Sequence, residues 1–291
     1  VDVVALHRLI KAGICLATLL PLPCLAHVAE QDSPPSSEIW LWMCLALSLG
    51  LYLTGWARIV RKARDERRPL TNIALCFTLG WIVLAVALVP PLDTWSEHWF
   101  SAHMVQHELM MVVAAPLLVL GKPLGVWLWG LPSEMRPRLT QALRRPAILS
   151  VWRWLGRPLP AWMLHAVAIW GWHIPAFFDA ALENNAIHIA QHLSFLVTAL
   201  FFWWAVFDRA SRGHAVISLF TTMMHTGALG ALLTFSSAAL YPAYVARALS
   251  HGLTPLEDQQ LGGLIMWIPA GTAYLGAALG LLFGRLLKTS S

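Results

Sequence analysis

Two apolar segments of this chain each carry a pair of histidines four residues apart: His103-Met-Val-Gln-His107 and His188-Ile-Ala-Gln-His192. A fifth histidine, His173, lies near the end of a third apolar segment. On a helix, residues four apart stand one above the other, so both imidazoles of a pair can address one ion. Imidazole suits copper, zinc and iron, and a haem b held between two facing imidazoles is the other chemistry this pattern permits. Met104, Met110 and Met111 would favour reduced copper, but Met104 projects roughly 100° away from His103 and is weak support.

Polar residues beside the histidines are candidates for orienting them. Gln106 and Gln191 precede the second histidine of each pair and suit a supporting hydrogen bond, or equally a contact between helices. Glu108 follows His107 inside an apolar run, where a carboxylate is costly unless paired or wet. It either orients an imidazole, balances metal charge, or makes an ordinary bond between helices. Asp179 and Glu183 are the other nearby acids.

The elements that must position these groups are those of a membrane protein. Of 291 residues, 58% are apolar and 12% charged, with a mean hydropathy of +0.62. That is too apolar for an ordinary soluble domain. Many of the 16 tryptophans flank the apolar runs, as indole does at a lipid interface. The net charge of +5 follows position along the chain, so it does not indicate a nucleic-acid partner. The four cysteines form no CxxC and read as buried apolar packing.

Residues 1–26 read as a cleavable signal peptide: Arg8 and Lys11 precede an apolar run, and Cys24-Leu25-Ala26 supplies small residues at a cleavage site. An uncleaved first helix is the alternative. A short extracytoplasmic stretch, 27–38, follows. Residues 39–288 then read as an all-α, polytopic membrane domain, a bundle of seven transmembrane helices. Their approximate spans are 39–57, 71–90, 101–121, 161–178, 187–207, 215–235 and 262–284, each near the roughly 20 residues that cross a bilayer. The fourth is the shortest.

Basic residues crowd alternate connections: Arg58 to Arg68, Arg136 to Arg157, and Arg209 with Arg212. The positive-inside rule places those loops and the C-terminus in the cytoplasm. All five histidines then lie at or near outward-facing helix ends. Pro116, Pro175 and Pro269 interrupt apolar runs, and each should kink its helix or open a gap in its hydrogen bonds. The short run 122–129 suits the inner interface better than another crossing.

No glycine-rich phosphate loop, CxxCH haem-attachment motif or serine nucleophile elbow is present. Membrane di-iron hydroxylases use more histidines, usually on the cytoplasmic side. The residues point to a binding protein rather than an enzyme.

Several stretches together resemble one family. His103-Met-Val-Gln-His107-Glu-Leu-Met-Met through Pro116-Leu-Leu-Val-Leu-Gly121, Trp172-His173-Ile-Pro175 with Asp179, His188-Ile-Ala-Gln-His192-Leu-Ser-Phe195, and Asp258-Gln-Gln-Leu-Gly-Gly are the residues concerned. They resemble the CtaG family of cytochrome c oxidase assembly factors, in the form associated with caa3-type oxidases. The resemblance covers nearly everything after residue 38. It implies a seven-helix protein of the bacterial plasma membrane that helps copper reach the CuB centre. The oxidase catalytic subunit, an extracytoplasmic copper donor and membrane lipid would be its partners. The resemblance does not itself fix the ligands; by spacing and depth His103, His107, His173, His188 and His192 are the expected metal ligands, at an accessible site. Asp258 either caps a helix or reaches the same cavity.

Overall fold

The computed structural model describes residues 34–62, 67–247 and 252–289. The expected signal peptide, most of the stretch after it, and His251 lie outside the described residues. Those described are helical with short connections, and no strand occurs among them. Six helices among them are long and apolar enough to cross a membrane. These are α1 (Ile39–Lys62 of the helix Pro34–Lys62), α2 (Leu70–Leu88 of Arg67–Leu88), α4 (Phe100–Leu120), α10 (Asn185–Arg209), α11 (Arg212–Thr234) and α13 (Pro255–Phe283 of Pro255–Thr289). Shorter helices among the described residues are α3 (Leu92–Ser96), α5 (Pro123–Gly130), α6 (Met135–Leu143), α7 (Pro146–Leu155), α8 (Pro158–Trp172), α9 (Pro175–Glu183) and α12 (Pro242–Arg247).

The sequence predicts seven spans; the fourth is corrected by the structure. The run 161–178 is divided into α8 and α9, with His173 and Ile174 between them. Pro175 has no N–H to continue the ladder and instead begins a new helix, where its fixed φ is favourable. The 15 residues of α8 extend only about 22 Å, short of the roughly 30 Å hydrocarbon layer.

The chain forms two compact units, one of residues up to Ile82 with Leu117–Trp154, the other of Val83–Pro116 with Leu155 onward. In the first, α1 packs on α5. Trp127 Nε1 donates to the Ser48 carbonyl at 2.8 Å, and Arg58 donates to the carbonyls of Trp129, Gly130 and Leu131 at the end of α5. Tyr52 stacks on Phe77 with ring centroids 3.6 Å apart and donates to the Gly121 carbonyl at 2.9 Å.

All five histidines belong to the second unit. There α11 and α13 approach closely at Gly230 and Gly263: a Cβ on Gly263 would stand 2.6 Å from the Gly230 carbonyl oxygen. Helix α4 meets α13 at Gly262, where a Cβ would lie 2.6 Å from Phe100 Cε1 and 3.1 Å from Met104 Cγ. Small residues at these crossings let backbones pack where side chains would hold them apart. Leu232, Val167 and Ile217 are exposed on the unit's surface, as lipid-facing side chains are.

Helix α4 departs from α geometry over Leu109–Ala114, a π-helical stretch. The Ala115 N–H reaches back to Met110 instead of Met111, one residue before Pro116 removes a further donor. The Met111 carbonyl thus freed accepts from Trp203 Nε1 of α10 at 2.9 Å. The gap expected at Pro116 is therefore filled by a side chain from the helix carrying the second histidine pair. Pro269, by contrast, lies within α13, which continues to Thr289.

Candidate metal centre

Each helix that carries a histidine pair has its first turn anchored. At the start of α4, Trp99 occupies the N-cap position and its indole cannot accept a bond. The missing acceptor comes from α13. Asp258 accepts from the backbone N–H groups of Phe100 at 2.7 Å and Ser101 at 3.2 Å, and from the Ser101 hydroxyl. A carboxylate at a helix N-terminus satisfies orphan donors and meets the positive end of the helix dipole. Helix α10 is capped locally, by Asn184, whose side chain accepts from Ala186 and Ile187. His103 and His188 each stand within four residues of their cap.

The two pairs face one another. Ring centroids are 4.2 Å apart for His103 and His107, and 4.2 Å for His188 and His192. Across the helices, His103 is 5.6 Å from His188 and 5.9 Å from His192, while His107 is 5.3 Å from His192. One ligating nitrogen each from His103, His188 and His192 can be chosen so that all lie within 4.8 Å of one another. With metal–nitrogen bonds of about 2.0–2.1 Å, small adjustments let these three hold a single ion.

The cluster is buried. His103, His107, His173 and His192 are 0%, 1%, 6% and 9% exposed, and His188 is half-buried. The sequence suggests a more accessible site. The difference comes from an aromatic cover that spacing does not reveal. Phe178 lies 5.1 Å from His103, and Phe100, Tyr241 and Tyr244 pack around Phe178 and one another. Tyr241 donates to the His173 carbonyl at 3.1 Å and Tyr244 to the Ser96 carbonyl at 2.6 Å, fixing the strand of chain that enters α12 over the imidazoles. Phe195 closes the deeper side, 4.6 Å from His107.

Buried polar nitrogens without partners mark the cluster. Both ring nitrogens of His107 lack a hydrogen bond, as do Nε2 of His173 and Nε2 of His192. His103 has the Ser96 backbone and the Gln191 side chain as polar neighbours, with no hydrogen bond of good geometry to either. Each unsatisfied buried group costs roughly 1–3 kcal/mol, so several in one place favour a bound partner for them. His173 shows what a supporting bond looks like here: its Nδ1 donates to the Ile169 carbonyl at 2.7 Å, leaving the Nε2 lone pair bare.

The other expected site residues divide. Gln191 lies against His103. Gln106 turns away, donating to the Ala87 carbonyl at 2.7 Å and to Asp93 at 2.8 Å, because one residue along a helix rotates a side chain by about 100°. Glu108 is close enough to Tyr274 of α13 to act on it electrostatically. Asp179 sits by Ala243 and Tyr241; burial raises its carboxyl above the usual range, opposed by the Ala243 N–H. Asp258 acts at the α4 cap. Met104 packs on Gly262. The remaining described histidines of this unit stand apart: His165 bonds Thr198, His225 accepts from Trp170, His98 bonds the Thr94 carbonyl, and His214 bonds the Ser211 hydroxyl.

The aromatic cover was not singled out by sequence. Tyr241 and Tyr244 are three apart, but aromatic pairs at helical spacing are ordinary in cores, and only their contact with His103 and His173 distinguishes them.

Residues 50–289 match the sequence pattern of a family described as cytochrome c oxidase caa3 assembly factor. Among curated proteins, the chain is 26% identical over 257 residues to the uncharacterized protein ML1998 of Mycobacterium leprae, an alignment covering 82% of this chain and 38% of that protein. It is also 26% identical over 241 residues to the uncharacterized protein MT0111 of Mycobacterium tuberculosis, covering 77% of this chain and 35% of the relative. The chain thus spans little more than a third of the length of the curated relatives it matches. No solved structure matches it.

Proposed function

The chain belongs to the cytochrome c oxidase caa3 assembly factor family, and from that premise we propose that it binds copper at the histidine cluster and passes it toward the CuB centre of the oxidase catalytic subunit. The family is one of assembly chaperones, not catalysts, so copper is cargo here and must leave again. The observation that carries the reading is the triad His103, His188 and His192, whose ligating nitrogens lie within 4.8 Å of one another.

Three neutral imidazoles without a thiolate make a site that can release its ion to another set of imidazoles. His107 and His173 extend the donor set, and Gln191 is the polar group placed to orient His103. The haem alternative is less well supported. Neighbouring imidazoles are in ring contact, at 4.2 to 5.9 Å between centroids, which leaves no slot between them for a porphyrin.

The excess of Arg and Lys in alternate connections favours an orientation with the cluster toward the outer face of the bacterial plasma membrane. Copper would then come from an extracytoplasmic donor. Because the aromatic cover buries the triad, loading requires Tyr241 and Tyr244 to move, with half-buried His188 the first imidazole reached.

The test is the oxidase itself. Oxidase purified from cells whose only copy of this protein carries His103→Ala should contain its haems but be deficient in copper. Oxidase with full copper content from those cells would refute the delivery role.

A further inference from the structure

We propose that the groove between α5 and α6, in the first compact unit, binds the phosphate of an anionic phospholipid. The inference is independent of the copper reading, whose residues all belong to the other unit.

Between Glu134 and Asp179 the sequence holds six arginines and no carboxylate. Glu134 itself is exposed, accepts from the Ser133 hydroxyl at 2.6 Å and lies close enough to Arg136 to act on it electrostatically. One carboxylate cannot balance six guanidinium groups, so this stretch attracts anions from outside the chain.

The groove gathers two of the arginines. Arg136, Thr140, Gln141 and Arg144 recur at helical spacing along α6 and just past its end, and they line the groove together with Leu128 and Trp129 of α5. Arg136 is held in place: Nε donates to the Leu131 carbonyl at 3.0 Å, and Nη2 donates to the carbonyls of Trp129 at 3.0 Å and Leu131 at 2.9 Å. Its guanidinium carbon also lies 4.9 Å from the centre of the Trp129 ring. Nη1 takes no part in these bonds and can donate to a ligand. Arg144, two turns further along the same face, is exposed, as is the Gln141 amide. Lys62 of α1 adds a third cation, its Nζ 4.8 Å from the same Trp129 ring.

Guanidinium groups match phosphate oxygens in geometry and charge. The wall beside them is apolar, made by Leu128 and the Trp129 indole. A free phosphate gains nothing from such a wall, whereas a phospholipid lays its acyl chains against it, and indole favours the headgroup layer.

Helix α7 supplies the second sign of a membrane surface. Its ten residues are too few to cross a bilayer, as are the nine of α6. Ile148, Val151 and Trp154 are nevertheless exposed at intervals of three, with Arg145 and Arg153 exposed around them. An apolar stripe flanked by arginine is the pattern of a helix lying in the interface, where anionic headgroups are at hand.

The test uses the full chain purified in mild detergent, with phosphatidylglycerol or phosphatidylcholine added to the micelles and bound lipid counted by native mass spectrometry. Wild-type protein should retain one phosphatidylglycerol, preferring it to phosphatidylcholine by about tenfold or more. Each basic residue at an anionic surface contributes about fivefold, so Arg144→Gln should weaken retention by about that factor. Arg145→Gln removes the same charge from a side chain that does not line the groove and should cost less than about twofold. Both variants leave the carbonyl bonds of Arg136 intact. Equal retention of the two lipids, equal losses in the two variants, or displacement of phosphatidylglycerol by millimolar inorganic phosphate would each overturn the proposal.

Discussion

Asp258, in the first turn of α13, accepts a hydrogen bond of 2.7 Å from the backbone N–H of Phe100, the first residue of α4. The two residues are 158 positions apart, and the bond ties the last helix to the one that carries His103 and His107. Together with the close passage at Gly262, it sets where His103 stands relative to the second pair.

Replacing Asp258 by alanine should therefore do two things at once. Losing a helix cap costs about 0.5–2 kcal/mol, visible as a lower thermal midpoint in detergent. Loosening the first turn of α4 should also weaken copper binding, although Asp258 touches no imidazole. Asp258→Asn, which keeps an accepting oxygen, should recover most of the stability. Equal losses for both variants, measured by the same melting experiment, would mean that charge at the dipole rather than the hydrogen bond carries the effect.

Gly262→Ala places a methyl group 2.6 Å from Phe100 Cε1, closer than Cβ atoms come, and 3.1 Å from Met104 Cγ, a tight contact. Helices α4 and α13 must separate, at a cost of about 1–3 kcal/mol. Gly276→Ala on the same helix, where nothing lies within 4 Å of the new Cβ, should be close to neutral. Comparison of their thermal midpoints checks the contact directly.

Trp203→Phe keeps an aromatic ring but removes the N–H that satisfies the Met111 carbonyl in the π-helical stretch. An unsatisfied buried acceptor costs roughly 1–3 kcal/mol, so the variant should melt earlier than wild type. A midpoint that does not change would show that the widened turn finds another donor.

How much of this was legible beforehand depends on whether the information is local. The i, i+4 spacing of His103 with His107 and His188 with His192 marks two ligating faces from sequence alone, because helix geometry fixes the face. That the faces meet is not local: it depends on α4 and α10 being neighbours, which Trp203 and Met111 secure through a bond 92 residues long in sequence. Asp258 shows the same boundary, since its capping chemistry is readable but the helix it caps is not its own. Gln106 takes the second of the two roles its sequence position allows, a contact between elements, because one residue along the helix turns its side chain about 100° from His107. The fourth span failed at Pro175, where hydropathy runs on through a residue that starts a new helix. His173 gains its position from that break, at the end of α8 with its ring turned back to Ile169.

Tyr244→Phe should speed copper exchange. The hydroxyl bond to the Ser96 carbonyl at 2.6 Å holds the cover over His103, and a net hydrogen bond is worth about 0.5–1.5 kcal/mol. If opening limits access, the loading rate followed by stopped-flow should rise by up to about tenfold with little change in affinity, since the ring and its packing remain. A rate that stays at the wild-type value would place the limiting step elsewhere.

The central claim is that His103, His188 and His192 hold one copper ion, and copper analysis after mild chelation tests it most directly. Wild-type protein loaded with copper and passed over a mild chelator should retain one tightly held ion per chain, whereas His188→Ala and His192→Ala should each lose it. Copper retained at the wild-type level in both variants would contradict the ligand assignment.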